Sequence, residues 1–580
     1  MKDPKSILQR RSRGAQGAIC AAALVLLTPS VAANTVPVPN GELRTTTGRP
    51  SQTMRWPHEQ RGDSVPAVVG PRRTASPVPV MRDGYASVQV NVDEFGNNIL
   101  GDAANEPSIA IDPTNPNRIV IGWRQFDTVE SSFRQAGYAY SRDAGRTWTF
   151  PGVLDEGVFR SDPVLAADAD GHFYYYSLNA GAPSLHCDLF VSTDGGATWS
   201  DPVPAFGGDK PWMTIDCTDG IGRGNIYAVW SHSLTRSTDG GETFEPATAV
   251  PGAPMTIAVG PGGELYGLGP SADSQAARIG RSSNAQDPDA AVEFEYAARV
   301  DIAGQLAAGH INPIGMLGQF WVAGDHSQGS TRGNVYALAS VEPSDVFDPP
   351  DIDPLDVHFR RSEDRGETWS PIARINDDVR DTGAWQWFGT LSVAPNGRLD
   401  AFWYDTRNDA NPAEPDFSEV YYSFSMDSGA TWSENVPVSP PFNHFLGGPS
   451  GSPKLGDYIQ AISDDVGVSL AHAATFNGEQ DVWLLRIGDY DCNGNGIGDS
   501  EDLASGAAED LNGNGIPDTC DCLGDLNLDW RISLVDLAEL LGNYGTSSGA
   551  ADADGDLDAD GDVDTDDLQI LLRNYGRGCP

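Results

Sequence analysis

Four short segments near the C-terminus repeat one spacing of oxygen-bearing side chains. Calcium takes six to eight oxygen ligands, and oxygens at positions 1, 3, 5, 7, 9 and 12 of a twelve-residue loop can surround one ion, with position 7 contributing its backbone carbonyl. We therefore predict four Ca²⁺ loops. The predicted ligands are Asp491, Asn493, Asn495, Ile497 (carbonyl), Asp499 and Asp502; Asp510, Asn512, Asn514, Ile516 (carbonyl), Asp518 and Asp521; Asp525, Asn527, Asp529, Arg531 (carbonyl), Ser533 and Asp536; and Asp556, Asp558, Asp560, Asp562 (carbonyl), Asp564 and Asp567.

A second group of residues could perform acid–base chemistry and bind a ligand. Carboxyl groups on opposite sides of a cleft can act as general acid and general base. The candidates are Glu106, Asp162, Asp209 and Asp405. Arg124, Lys210 and Arg407 could hold an anionic group, and Trp212 and Trp387 offer flat rings for stacking. A purely structural role is the alternative, because an acid before proline is often a turn or cap residue.

The elements that must position these residues are short strands. Gly (65), Pro (41) and Trp (14) are abundant, and short apolar runs recur between turn residues, which indicates a mostly β chain. An inner-strand pattern begins at Glu106-Pro107, at Asp162-Pro163 and at Lys210-Pro211, and a weaker copy begins at Ala253-Pro254. Later inner strands are expected near residues 320–323, 391–394 and 458–462.

A second motif, Ser-x-Asp-x-Gly-x-Thr-Trp, closes five of the repeats. It begins at Ser141, Ser192, Ser237, Ser362 and Ser425, with Phe244 replacing Trp in the third copy. The Asp can accept turn N–H groups, the Gly takes a positive φ, and the Trp packs between sheets. Five copies at regular spacing predict radial repetition of four-stranded sheets.

These motifs resemble the Asp-box (BNR) repeats of the sialidase superfamily of β-propellers, over roughly residues 100–488. The resemblance implies a propeller over residues 86–488 with seven blades, or six if the degenerate stretch 270–320 forms none. A strand at residues 86–92 would complete the last blade. The Asp boxes are expected to be structural, and the candidate residues to lie at the opposite face, around the central mouth.

One departure from that family concerns the substrate. Sialidases carry Phe/Tyr-Arg-Ile-Pro at the first inner strand, whereas this chain has Asn105-Glu106-Pro107-Ser108. The missing Arg argues against sialic acid as substrate. The resemblance then implies a glycoside hydrolase acting on another extracellular glycan or polysaccharide, with a glycan- or protein-binding propeller without catalytic activity as the alternative.

The tail carries two further resemblances. Residues 489–522, with two Asn-Gly-Asn-Gly-Ile cores, resemble thrombospondin type 3 calcium repeats. Residues 523–580 contain two loop–helix units 31 residues apart, with matching Leu-x-x-Leu-Leu-x-Asn-Tyr-Gly segments that follow the loops, and resemble a type I dockerin with EF-hand-type loops. The dockerin resemblance implies a cohesin-like protein partner.

The N-terminus and the cysteines predict export. Residues 1–33 have a basic start, a short apolar run and a small-residue end, as in a secretory signal peptide, and no other stretch is long enough to span a membrane. Residues 34–85 are expected to be a disordered linker. We expect disulfides Cys187–Cys217, Cys492–Cys520 and Cys522–Cys579 among the 15 pairings that six cysteines allow. The net charge of −45 argues against nucleic acid as partner.

Overall fold

The alternating apolar segments form strands, which in the described part of the chain make up seven antiparallel sheets of four or five strands and one two-stranded hairpin. The computed structural model describes residues 79–181, 185–271, 276–344, 353–527, 531–551 and 554–576. The innermost strand of each sheet contacts the inner strands of both neighbours, and the seventh contacts the first. The chain is therefore mostly β and folds as a seven-bladed propeller, as predicted.

The first four blades follow the chain in order. Blade 1 contains β3 (Ala103–Ile111), β4 (Ile119–Phe126), β5 (Gln135–Ser141) and β6 (Thr149–Leu154). Blade 2 contains β7 (Arg160–Ala167), β8 (Phe173–Asn179), β9 (His186–Ser192) and β10 (Val203–Pro204). Blade 3 contains β11 (Trp212–Ile215), β12 (Ile226–Trp230), β13 (Ser233–Ser237) and β14 (Thr248–Ala249). Blade 4 contains β15 (Thr256–Val259), β16 (Leu265–Pro270), β17 (Ala277–Ser282) and β18 (Tyr296–Val300).

The next two blades carry additional short strands. Between blades 4 and 5 lie β19 (Gly304–Gln305), β20 (Ala308–Gly309) and β21 (Asn312–Met316). Blade 5 contains β22 (Trp321–Gly324), β23 (Val335–Pro343), β24 (Asp356–Ser362) and β25 (Ala373–Arg374), and β19 pairs with β23. Blade 6 contains β26 (Gln386–Val393), β27 (Leu399–Asp405), β28 (Phe417–Ser425) and β29 (Val436–Pro437), and β30 (Phe442–Asn443) pairs with β28.

The seventh blade closes the ring with strands from both ends of the propeller. It contains β31 (Gln460–Ser463), β32 (Gly467–Ala474) and β33 (Asp481–Gly488), followed by β2 (Tyr85–Gln89) and β1 (Val80–Arg82). β2 pairs with β33 in the register Val88↔Leu484. The expected closing strand is thus present. However, β1 begins at Val80 and pairs with β2. The last residues of the predicted disordered linker, which was expected to reach residue 85, therefore belong to this blade.

The Asp-box turns are built alike in all five copies. In each, the Ser hydroxyl donates to the Asp, the Gly N–H donates to the Ser, and the Thr N–H and hydroxyl donate to the Asp, as in the box from Ser141 to Thr147. The Gly takes a positive φ in every copy, from 77° to 90°. These carboxylates are therefore used within their own turns, at the face where β5 and its equivalents end. We call this the Asp-box face and the opposite one the mouth.

The tail has little regular structure. Its helices are α1 (Asp499–Ser505), α2 (Leu534–Asn543) and α3 (Thr565–Asn574). Both α2 and α3 begin with a capping box, formed by Ser533 with Asp536 and by Asp564 with Asp567. No described helix is long and apolar enough to cross a membrane.

The cysteines agree only partly with the predicted pairing. Cys492 and Cys520 form a disulfide, whereas Cys187 and Cys217 are free. The prediction for the latter pair is wrong because Cys187 lies where β9 leaves the mouth, while Cys217 follows β11 at the Asp-box face. Cys522 is disulfide-bonded, but Cys579 lies outside the described residues. So do the predicted signal peptide, most of the linker and the ligand Asp529.

Candidate functional site

Three consecutive blades place a charged residue in the same strained backbone position at the mouth. Glu106 (φ 58°), Asp162 (φ 48°) and Lys210 (φ 57°) each precede a proline. The pairing of β3 with β4 and of β7 with β8 shifts register at this point, so Glu106 and Asp162 lie in bulges. A positive φ is uncommon outside glycine and costs about 1–3 kcal/mol. Such strain persists where surrounding contacts impose it, and it is often found at functional sites.

Asp457, just before β31, is the centre of an ionic cluster that we call the mouth cluster. Its Oδ2 accepts from Lys210 Nζ and from Lys454 Nζ, both at 2.7 Å, and its Oδ1 accepts from the Met316 backbone N–H at 2.8 Å. Burial alone would raise the pKa of Asp457, but the two ammonium groups hold it well below its usual range. The Lys210 backbone N–H donates to Asp162 Oδ2 at 3.0 Å, which joins blades 2, 3 and 7.

Glu106 extends the mouth cluster into blade 1. Its Oε2 lies 2.6 Å from Arg124 Nε, and Glu106 and Arg124 are 1 % and 0 % exposed. Burial raises the pKa of Glu106 to about 7, although the charges of Arg124 and Lys454 act in the opposite direction. The cluster therefore holds one carboxyl group that titrates near neutrality and another, Asp457, that stays ionised. A pair of carboxyl groups driven apart in this way is typical of acid–base sites.

Arg134 is a buried cation of the site that the sequence did not single out. Its Nε donates to Ser161 Oγ at 3.1 Å, and this hydroxyl donates to Asp162 Oδ1 at 2.8 Å. The guanidinium lies 4.5 Å from the ring centroid of Phe159. Burial lowers the pKa of Arg134 to about 10, so it stays charged at neutral pH. Lys454 was also missed, because only the fold brings it to the first three blades.

Asp405 and Arg407 lie in a different cluster on blade 6. Arg407 Nη2 lies 2.8 Å from Asp405 Oδ2, and Nη1 lies 2.6 Å from Asp377 Oδ1. The Trp403 indole N–H also donates to Asp405 at 2.8 Å. None of the contacts in the described ranges joins this pair to Glu106, Asp162 or Asp457. The predicted acids are thus divided between two clusters, with Asp209 next to Lys210 at the first.

The two predicted stacking residues are both buried. Trp387 is 0 % exposed, donates its indole N–H to Ser418 and packs on Phe388. Trp212 is 4 % exposed, and its ring meets Trp321 and Tyr458 edge-on, with centroids 5.0 and 5.3 Å apart. Trp387 therefore offers no ring face to a sugar, and Trp212 offers only the small part of its surface that lines the central channel. Their sequence positions gave the correct strands but did not show whether the rings face solvent.

A channel runs along the inner strands past Trp212. The cavity has a volume of about 470 Å³ and is lined mainly by apolar residues such as Ile109, Leu165 and Ile257. Cys217 and Ile111 line it near the Asp-box face, and Trp212 lines it nearer the mouth. None of the residues that line this channel is charged, whereas the mouth holds the candidate acids and cations, so the mouth remains the better candidate site.

The hairpin β20–β21 lies against the mouth cluster. Asn312 Nδ2 donates to the Gly456 carbonyl at 2.9 Å, and Asn312 Oδ1 accepts from the Leu455 N–H at 2.9 Å. Together with the bond from Met316 to Asp457, these contacts tie the insertion between blades 4 and 5 to blade 7. The hairpin therefore helps to bury Asp457.

The first two tail loops have the same internal geometry. In the first, the side-chain amides of Asn493 and Asn495 lie 2.9 and 2.8 Å from Asp502 Oδ2. In the second, Asn512 and Asn514 lie 3.1 and 2.9 Å from Asp521 Oδ2. Asp491 and Asp510 each accept two backbone N–H groups of their own loop. Asp499 and Asp518 differ, since each accepts the N–H of the second loop residue, Cys492 or Leu511.

The last loop gathers carboxylates most closely. Asp556, Asp558 and Asp560 have ligand atoms within 4.8 Å of one another, and so do Asp562, Asp564 and Asp567. In the third loop, Asp536 accepts the N–H groups of Leu526, Asn527 and Ser533. In both loops the carboxylate at position 12 accepts backbone N–H groups from earlier positions of the same loop. The donor set consists of oxygen atoms, which fits Ca²⁺.

The comparisons with known proteins agree with the repeat. A BNR/Asp-box repeat matches residues 190–201, which include the second Asp box. The search of curated proteins gave no match.

Among solved structures, the similar ones differ widely in activity. Hydrazine synthase of Kuenenia stuttgartiensis is 12 % identical, with 66 % of this chain and 95 % of that chain covered and a TM-score of 0.39. The GH93 α-L-arabinofuranosidase of Fusarium graminearum with arabinobiose is 14 % identical (56 % and 91 % covered, TM-score 0.29). A Hadza microbial sialidase is 11 % identical (66 % and 65 % covered, TM-score 0.34). Similarities of this size assign no function to the chain.

Proposed function

We propose that the protein is a secreted glycoside hydrolase that acts on an extracellular glycan or polysaccharide at the propeller mouth. The observation that carries the proposal is Glu106, a buried carboxyl group on a strained bulge whose pKa is raised to about 7. A carboxyl group of that pKa can protonate a glycosidic oxygen at neutral pH. Secretion is supported by the predicted signal peptide and by the Cys492–Cys520 disulfide.

The other mouth residues have complementary roles in this proposal. Asp162 or Asp209 supplies the second carboxylate, which activates water or attacks the anomeric carbon. Lys210 and Arg134 hold a substrate hydroxyl or carboxylate near these acids. Since Glu106 is 1 % exposed, substrate access requires Arg124 to release it or the hairpin β20–β21 to move away from Asp457.

The test is turnover of a panel of neutral and uronic-acid glycosides by the full-length protein and two variants. Glu106→Gln should reduce kcat by at least 10²-fold, the usual size of a general-acid contribution. The matched control is Asp112→Asn, which alters a buried aspartate whose carboxylate serves its own turn at the other end of β3, and it should leave kcat unchanged. Equal turnover by wild type and Glu106→Gln would show that Glu106 takes no part in catalysis.

The second candidate function is glycan or protein binding without catalysis. It is favoured by the ion pair of Glu106 with Arg124, which leaves the acid engaged and buried. Measurable binding of a glycan that no form of the protein cleaves would support this function over hydrolysis.

We also propose that the tail binds Ca²⁺ through its four loops. The convergent acids of the last loop support this, and the ligands are those predicted from the sequence, among which Asp529 lies outside the described residues. Calcium binds the folded loops, so it should raise the melting temperature of the tail. Replacing Asp556 and Asp567 with Asn should remove one ion, measured by titration calorimetry, while Asp566→Asn in the same region should not.

A cohesin-like partner remains part of this proposal. The two loop–helix units leave Leu541, Tyr544, Leu572 and Tyr575 exposed at corresponding positions. If the tail docks through these residues, Leu541→Asp and Leu572→Asp should weaken binding to a cohesin panel without changing the calcium stoichiometry.

A further inference from the structure

Two exposed phenylalanines lie at the mouth on the side of blades 1 to 3. Phe133 is 40 % exposed and Phe206 is 44 % exposed. Phe133 lies two residues before β5, next to Arg134, and Phe206 lies between β10 and β11, three residues before Asp209. Because β5 and β11 both begin at the mouth, each phenylalanine stands beside a charged residue of the candidate site.

The opposite side of the mouth carries a stacked pair of aromatic side chains. His310, in the turn of the hairpin β20–β21, lies nearly parallel to Trp385, with ring centroids 4.5 Å apart and an angle of 26° between the planes. Trp385 directly precedes β26 of blade 6 and is half-buried, whereas His310 is exposed. The imidazole therefore covers the indole and keeps surface open to solvent.

The backbone of the hairpin fixes the position of the His310 ring. His310 has a φ of 54° and follows Gly309, whose φ is 81°. A positive φ is uncommon for a residue other than glycine, although histidine adopts it more readily than most. Two residues further on, Asn312 Nδ2 donates to the Gly456 carbonyl at 2.9 Å. The turn that carries the imidazole is thus anchored to blade 7.

The same anchor places the stacked pair near the candidate acid. Gly456 lies directly against Glu106, since a Cβ on this glycine would be 2.7 Å from the Glu106 Cα. His310 is two residues from Asn312, a span of at most about 7 Å. The inner strands carry the mouth cluster, so the cluster lies between the stacked pair and the two phenylalanines. This arrangement persists when Arg124 releases Glu106, the first of the two access routes.

We propose that the mouth binds the interior of a polysaccharide chain, which crosses the mouth cluster and stacks sugar rings on Phe133 or Phe206 at one end and on His310 at the other. The inference rests on the proposed function, because it names the substrate class of the same site. The C–H faces of a sugar ring are apolar and pack on flat aromatic rings, while its hydroxyl groups bond to polar side chains. A single terminal sugar contacts one side of the mouth only, so the use of both sides requires several sugar units.

A purely structural role is the competing explanation, in which His310 packs on Trp385 only to hold the hairpin in place. The two explanations differ in how affinity depends on ligand length. Rings on both sides of the cluster add affinity for a long ligand that reaches both. A structural role gives no such dependence and lowers the melting temperature when the ring is removed.

The first experiment measures binding to the full-length Glu106→Gln protein by titration calorimetry, so that no ligand is cleaved. The probes are oligosaccharides of arabinan, xylan and polygalacturonate with two and six units, which cover neutral and uronic-acid chains. At least one six-unit probe should bind about tenfold more tightly than its two-unit form, a difference of about 1.4 kcal/mol. Equal affinity for both lengths, or no binding of any probe, would overturn the proposal.

The second experiment tests the rings in the same background. Phe206→Ala and His310→Asn should each weaken binding of the six-unit probe by about 3- to 10-fold, with little change in melting temperature because both side chains are exposed. Asparagine tolerates the positive φ at position 310. Phe206→Tyr keeps the ring and should bind like the parent protein. Phe424→Ala, an exposed aromatic residue at the Asp-box end of β28, is the matched control and should leave the affinity unchanged.

Equal affinity of all these variants for the six-unit probe would overturn the proposal. Turnover by the wild type separates this inference from the proposed hydrolysis. Length-dependent binding that needs both rings, without cleavage of any probe, would support the inference and refute hydrolysis. Cleavage of short glycosides that is insensitive to ligand length and to the ring variants would support hydrolysis and refute the inference.

Discussion

At the scale of single residues, the mouth cluster balances its charges across the ring. Asp457 accepts from Lys454 on its own blade and from Lys210 on blade 3, whose backbone in turn binds Asp162 on blade 2. Each of these groups is buried or half-buried, so each depends on its partner. Removing one partner of such a pair destabilises the protein much more than replacing both partners with apolar residues, because the remaining charge stays buried.

Asp457→Asn should therefore lower the free energy of unfolding by about 3–5 kcal/mol, the usual effect of removing one partner of a buried ion pair. Two ammonium groups would remain beside a neutral amide. Urea denaturation followed by tryptophan fluorescence measures the change, with the exposed Asp201→Asn as control. A loss equal to that of the control would show that the lysines find other partners.

The raised pKa of Glu106 gives a second prediction. Its folded pKa of about 7 exceeds the ordinary value of 4.5, so between these values the folded state holds a proton that the unfolded state has released. The stability that this proton contributes is complete below pH 4.5 and is lost as pH rises toward 7. Glu106→Gln removes this dependence, so its melting temperature should improve relative to wild type from pH 5 to pH 8. A constant difference over that range would mean that Glu106 is ionised throughout.

The sequence identified several charged residues of the mouth cluster but not the residues that surround and pair with them. Glu106, Asp162 and Lys210 were identifiable because each precedes proline in a repeated strand pattern. Lys454 and Arg134 were not, because their partners lie on other blades and no local pattern marks them. For Trp212 and Trp387 the periodicity gave the strand but not which side chains face solvent, since a propeller buries both faces of its sheets.

At the scale of elements, the Asp-box turn is a packing device between blades. The Gly of the fifth box, Gly429, has a φ of 77°, and a Cβ there would overlap the ring of Phe359 in the preceding blade. Regular spacing made the seven blades and the ring-closing strand predictable. The predicted Cys187–Cys217 disulfide was wrong, because the spacing of the motifs does not show that the two cysteines lie at opposite ends of their strands.

Gly429→Ala should destabilise the propeller by about 2–4 kcal/mol, combining overpacking with the unfavourable φ. The matched control is Gly157→Ala, where φ is 82° but no atom lies within 4 Å of the added carbon. The control measures the cost of placing alanine at a positive φ without a clash, which we expect to be about 1 kcal/mol. Equal losses in thermal unfolding would show that the contact with Phe359 contributes nothing.

At the scale of the whole molecule, the tail is fastened to the propeller at the Asp-box face. Arg146, in the first Asp box, lies 3.8 Å from the ring centroid of Tyr490, and its Nη2 lies 3.7 Å from Asp499 Oδ2. Asn117 Nδ2 donates to the Cys492 carbonyl at 2.9 Å. The first proposed calcium loop therefore begins on a surface that blade 1 provides.

Calcium bound in that loop should consequently stabilise the propeller as well as the tail, provided Arg146 connects them. Arg146→Ala removes the stacking on Tyr490 and the charge near Asp499, so the calcium-induced rise in the melting temperature of the propeller should shrink. Calcium affinity measured by calorimetry should change much less. Arg142→Ala is the matched control, because Arg142 belongs to the same Asp box but lies over Tyr140 instead. If both variants keep the full calcium response, contacts other than Arg146, such as the bond from Asn117 to Cys492, must carry the coupling between loop and blade.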